Sequence, residues 1–220
     1  TTIVIAVTMA AILFLSGINH KIVTAVIVIA IPVFCIFGYF VVQPDTGKKI
    51  LSEYQYNRIV GFFQDDNETA KKIRYQQENS LLAIGSGGLT GKGLYNNTVT
   101  SVKNGKLLSE SHTDFIFTIV GEELGFVGAA AVILLLFMIV LECFITGSRA
   151  PTFSGKLFCF GFGVLIAIQS FVNIAVATFL LPNTGVTLPF VSYGLTSLLS
   201  MYIGVGIVLN IGLQRTKARV

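Results

Sequence analysis

Apolar residues fall into five blocks along the chain, at 3–16, 22–42, 115–141, 157–181 and 188–213, and a polar stretch over 43–113 separates the second block from the third. A bilayer crossing takes about 20 apolar residues in helical form. The pattern therefore predicts an all-α polytopic membrane protein, one membrane domain with five transmembrane helices and a large extracytoplasmic loop at 43–113. Pro32 interrupts the second block and is tolerated in a membrane helix as a kink. The first block is short and opens at Thr1 without a starting Met, so the chain is expected to be a fragment lacking N-terminal spans.

Composition agrees with this pattern. The 220 residues are 53% hydrophobic and only 12% charged, against about 25% charged in soluble domains. The net charge of +4 comes with no basic stripe and no aromatic stacking platform, which argues against nucleic acid as a partner. Cys35, Cys143 and Cys159 all lie in apolar blocks without metal-ligand spacing, and read as small buried hydrophobes. Basic residues set the orientation: Lys21, Arg149, Lys156, Arg215, Lys217 and Arg219 share one side under an alternating topology, while 182–187 on the other side carries no charge. The tail is thus expected in the cytoplasm and the long loop outside.

Within the loop, 52–72 is polar with scattered Tyr and Phe, which suggests an amphipathic surface helix. A glycine-rich stretch follows, Ala83-Ile84-Gly85-Ser86-Gly87-Gly88-Leu89-Thr90-Gly91-Lys92-Gly93. It lacks the spacing of a nucleotide phosphate loop. Two readings stay open for it, a cradle of backbone amides and Lys92 for a lipid diphosphate, or a tight turn that folds the loop onto the bundle.

The strongest chemical candidate is Asp114, where Glu110-Ser111-His112-Thr113-Asp114-Phe115 runs into the third apolar block. A carboxylate there can cap a helix, since Ser111 and Asp114 have the spacing of a capping box. It can also act as a general base at the membrane surface. His112 reads as a solvated loop residue, a ligand or a second acid/base group. Eight residues of helix put Glu122 about 12 Å and about 80° from Asp114, whereas the carboxylate pairs of glycosidases stand roughly 5–10 Å apart. Glu122 and Glu123 are assigned structural or cavity-lining roles, because acids in a membrane helix face the bundle and pair. Farther on, 181–194 reads as a broken helix entry with two prolines, and Gln169 and Asn173 share one face of the fourth block, where hydrogen bonding between helices is the default and lining of a substrate groove is the alternative.

Taken together, Tyr54-Gln55-x-x-Arg58, Ala83 to Gly88, Gly91-Lys92-Gly93, Glu110-x-His112-Thr113-Asp114-Phe115-Ile116-Phe117, Glu122-Glu123-Leu124-Gly125, Asn173-Ile174 and the run from Leu181-Pro182 to Tyr193-Gly194 resemble the SEDS family (RodA, FtsW and SpoVE). The resemblance covers almost the whole chain. It implies helices six to ten of a ten-helix fold in the bacterial cytoplasmic membrane, with peptidoglycan glycosyltransferase activity on lipid II, for cell shape, division or sporulation. It also implies that Asp114 is the catalytic acidic residue, serving as general base, and that a class B penicillin-binding protein, a transpeptidase, is the partner. Arg58 and Lys92 are the candidates for the substrate diphosphate, with Ser86, Gly87, His112, Thr113, Ser192 and Tyr193 as further substrate-binding candidates. A divalent cation, magnesium or manganese, is an option for the same charge. The competing functions are transport of a lipid-linked precursor and a non-catalytic scaffold for a transpeptidase. A fragment of this extent is expected to be inactive by itself.

Overall fold

The computed structural model describes residues 2–16, 32, 56, 58–59, 62, 68–94 and 113–217. All regular structure among them is helical: α1 (Thr2–Leu15), α2 (Glu68–Ser86), α3 (Ile116–Ser148), α4 (Phe153–Ala177) and α5 (Leu195–Lys217). The expected second span at 22–42 lies outside the described residues except for Pro32, and so does most of the expected surface helix at 52–72. In the loop, the described helix is α2, whose last turn takes in Ala83 to Ser86.

Three helices are long and apolar enough to cross a bilayer, Ile116–Ser148, Phe153–Ala177 and Leu195–Gln214, and α1 is a shorter apolar helix. Glycines bring them together. Gly161 of α4 meets Ile12 of α1, Gly163 meets Cys143 of α3, and Gly155 meets Ile211 of α5, the close approach that small residues permit between membrane helices. Cys143, Cys159, Ile166 and Met201 belong to the core that results. The helix α4 starts at Thr152, whose hydroxyl accepts from the Gly155 amide at 3.2 Å, a side-chain N-cap.

The third apolar block does not form one straight helix. At Gly125 the backbone leaves helical geometry, with φ 65° and ψ −164°. Two contacts show how far the chain turns there. A Cβ on Gly163 would lie 3.1 Å from Cys143 Cβ, and Asn173 Nδ2 lies 3.0 Å from the Asp114 carbonyl. From Gly163 to Asn173, α4 rises about 15 Å, whereas an unbroken helix from Asp114 to Cys143 would rise about 43 Å. Only a sharp fold-back at Gly125 reconciles the two, and accordingly Phe117 shares a core cluster with Ala129 and Leu136. The stretch that can cross is 126–148, about 34 Å of helix. Glu122 and Glu123 belong to the folded-back arm, which removes the cost of placing two acids in the middle of a span.

The glycine-rich loop holds this break. Lys92 N and Gly93 N donate to the carbonyls of Glu122 and Glu123 at 3.0 Å each, and Phe126 N and Val127 N donate to those of Gly88 and Leu89 at 2.9 and 3.2 Å. The backbone groups released by the break are thus paired, as burial requires. The approach leaves no room for side chains: a Cβ on Gly91 would meet Glu123 O at 2.2 Å, and one on Gly125 would meet Gly91 N at 2.3 Å. Of the two readings of this loop, folding onto the bundle is the one observed.

The fifth helix begins at Leu195 rather than near 188. Residues 178–194 instead form a non-helical segment in which Phe179 and Phe190 take positive φ, 59° and 63°, and Pro189 can donate no amide. From α2, Gln77 Nε2 caps the carbonyls of Val176 and Leu181 at 3.2 and 2.8 Å, and Ser80 Oγ caps that of Ala177 at 2.7 Å. The Val176 and Ala177 carbonyls are among the acceptors that the end of α4 leaves open, and Leu181 lies four residues beyond it.

Candidate functional site

Thr113 and Asp114 sit in the turn that precedes α3. The helix N-cap is Phe115, which makes no side-chain capping bond, and there is no acid in the first turn. The capping-box reading, with Ser111 as N-cap and Asp114 in the first turn, is therefore corrected: the helix starts at Ile116, after Asp114. Ser111 and His112, the other candidates of that motif, lie outside the described residues.

Two buried side chains from different elements hold the backbone of this turn. Asn173, 1% exposed, donates through Nδ2 to Asp114 O at 3.0 Å and to Val186 O at 2.7 Å. Ser192, 2% exposed, donates through Oγ to Thr113 O and accepts from Leu188 N, both at 2.7 Å. Consecutive carbonyls are thereby tied to α4 and to the 178–194 segment. Beneath them Phe115 is buried with Ala83 and Val176.

The carboxylate itself faces Gly185. A Cβ on Gly185 would stand 2.9 Å from Arg58 Nη1 and 3.5 Å from Asp114 Oδ2. The glycine adopts φ 66°, a conformation open to it for want of a Cβ. Its bare Cα lets a guanidinium and a carboxylate, both half-buried, converge on one small space. Such an arrangement offers an acceptor for a proton beside a fixed positive charge.

The sequence candidates divide into separate groups. Arg58, Thr113, Asp114 and Ser192 come together, while Lys92 and Gly87 lie at the folded tip of α3. Lys92 Nζ pairs with Glu122 Oε1 at 2.9 Å. Gly87 is buried against the Gly121 carbonyl, and its amide donates to Ile84 O at 3.2 Å. Ser86 is exposed and its hydroxyl returns to Ala83 O at 2.7 Å. Tyr193 follows Ser192 but is 78% exposed. Asn173 and Gly185 were not among the candidates. The sequence signals for them were an amide in an apolar helix and a glycine in a proline-flanked entry, both with ordinary packing explanations.

Among the described residues no three His, Cys, Asp or Glu side chains assemble as a metal site. What they bring to Asp114 is a guanidinium, which does not fit a divalent cation, and no step is assigned to one.

The Lys92–Glu122 pair has the burial of a structural latch, with side-chain exposures of 26% and 2%. Removing one partner of a buried pair costs about 3–5 kcal/mol, whereas removing both is often close to neutral. Lys92→Met is expected to lower the melting temperature in detergent, and Lys92→Met with Glu122→Gln to recover most of the loss. Equal melting temperatures for Lys92→Met and the unmodified protein would show that the pair holds nothing.

A family profile of cell cycle proteins, FTSW_RODA_SPOVE, matches residues 1–217. The chain is 34% identical over 218 residues to the probable peptidoglycan glycosyltransferase FtsW of Buchnera aphidicola subsp. Baizongia pistaciae, covering 97% of this chain and 53% of that protein. It is 32% identical over 215 residues to the peptidoglycan glycosyltransferase MrdB of Escherichia coli K12, covering 98% and 55%. Among solved structures, it matches a chain from work on the structural coordination of polymerization and crosslinking by a peptidoglycan synthase complex. That match has TM-score 0.65 and 24% identity over 97% of this chain and 55% of that one, which supports the all-helical fold. The chain spans about half the length of the curated relatives it matches.

Proposed function

The chain belongs to the FtsW, RodA and SpoVE family of cell cycle proteins, multi-pass proteins of the bacterial cytoplasmic membrane, and from that premise we propose that the full-length protein is a peptidoglycan glycosyltransferase that polymerises glycan strands from lipid II on the outer face. The observation that carries the reading is the placement of Asp114, with its backbone held from two sides and its carboxylate beside Arg58 over a side-chain-free glycine.

In this reaction a sugar hydroxyl of one lipid-linked disaccharide attacks the anomeric carbon of another. A new glycosidic C–O bond forms, the C–O bond to the undecaprenyl diphosphate breaks, and the hydroxyl proton passes to Asp114. General-base help of this kind contributes about 10²–10⁴-fold. Arg58 carries the charge that meets the departing diphosphate. Lys92, engaged with Glu122 at the folded tip, is assigned to the architecture instead. The proposed partner is a class B penicillin-binding protein that crosslinks the strands.

The test is direct. Purified full-length protein, with its transpeptidase partner inactivated, is given lipid II in detergent, and glycan strands are resolved by gel. Strands that lengthen with time are the expected result. No polymer from intact protein, combined with lipid II translocation in vesicles, would replace this reading with transport.

A further inference from the structure

We infer that Asn173 and Ser192 are positioning residues for Asp114: together they fix where its carboxylate stands, and this inference rests on the proposed base role of Asp114. Both neighbours of the Asn173 amide are carbonyls, Asp114 O and Val186 O. Only the NH₂ end can face them, so the orientation of the amide is set. Ser192 has its donor engaged by Thr113 O and accepts from Leu188 N. Neither residue has the exposure to reach a substrate, which moves Ser192 from substrate binding to support.

Their bonds fall on the two successive carbonyls at Thr113 and Asp114, in the turn that leads into α3. One bond comes from a membrane helix and the other from the segment that also carries Gly185. The clamp therefore fixes the carboxylate relative to Gly185, and hence relative to the space it shares with Arg58. A misplacement of about 1 Å at a reacting group costs on the order of 10²-fold in rate without weakening substrate binding in proportion.

The experiment compares full-length variants in the lipid II assay, with kcat, KM and melting temperature measured for each. Asn173→Ala and Ser192→Ala are expected to lose about 10- to 100-fold in kcat, with KM close to that of the unmodified protein and a melting temperature lowered somewhat by the backbone groups left unpaired. Ser192→Thr, which keeps a hydroxyl, is expected to stay within about threefold. Ser192→Val, of the same bulk, is expected to fall with Ser192→Ala.

Three results overturn the inference. One is an unchanged kcat in Ser192→Ala and Asn173→Ala while Asp114→Asn is inactive. Another is equal kcat for the Thr and Val forms. The third is a kcat loss that tracks melting temperature across all four variants, the Thr and Val forms included. Full activity in Asp114→Asn is a different failure, since it removes the base itself and with it the proposed function.

Discussion

Replacing Asp114 with Asn in the full-length protein is expected to abolish glycan polymerisation, by about 100-fold at the least and up to about 10⁴-fold, with little change in stability. The substitution keeps shape while it removes the proton acceptor and the negative charge beside Arg58. The backbone clamp is untouched, because Asn173 and Ser192 bind carbonyls and not the carboxylate. Loss of product should thus appear in kcat, while lipid II still binds. An Asp114→Asn protein that makes strands at the normal rate would sink the base assignment. Binding and normal growth support in the absence of activity would point to a scaffold.

The second large effect is one of stability and lies at the tip of α3. Gly125→Ala adds a Cβ 2.3 Å from Gly91 N at a residue with φ 65°, and Gly91→Ala adds one 2.2 Å from Glu123 O at φ 80°. Backbone strain of this kind costs about 1–3 kcal/mol, and overpacking a tight contact adds a similar amount, about 1–3 kcal/mol. The atoms met are backbone, which cannot rotate away. Each variant is expected to lose about 3 kcal/mol or more, seen as a lowered melting temperature or failure to accumulate in membranes. Gly85 is the control: it is exposed in α2 with nothing within 4 Å of a Cβ, and Gly85→Ala should be neutral or slightly stabilising. Equal melting temperatures for all three variants would contradict the fold-back.

These two sites show what could be read in the residues and what could not. Membrane helices were legible because long apolar runs have few other uses, and the entry at 181–194 because prolines and glycines interrupt such a run. The break at Gly125 was not. Glu122-Glu123-Leu124-Gly125 has the local look of a continuing helix. What permits the break is a loop about thirty positions earlier, whose amides and carbonyls take over the lost pairing. Nonlocal compensation leaves no local signature.

Asp114 is a similar case. Sequence spacing suggested a cap, and the structure starts the helix too late for that role. The chemical role proposed for it came from the motif it resembles, and the geometry adds Arg58 and Gly185 around it. Asn173 looked like ordinary glue between helices, since nothing in the chain says which carbonyl an amide will find.

The clamp on Asp114 also has a consequence for biosynthesis. Its bonds reach forward by 59 and 79 residues, so the acid leaves the ribosome well before either of the side chains that position it. Until α4 has crossed the membrane and 178–194 has followed, the nascent chain carries the acid without its support. On the proposed function, the site is then incomplete until Ser192 has been added.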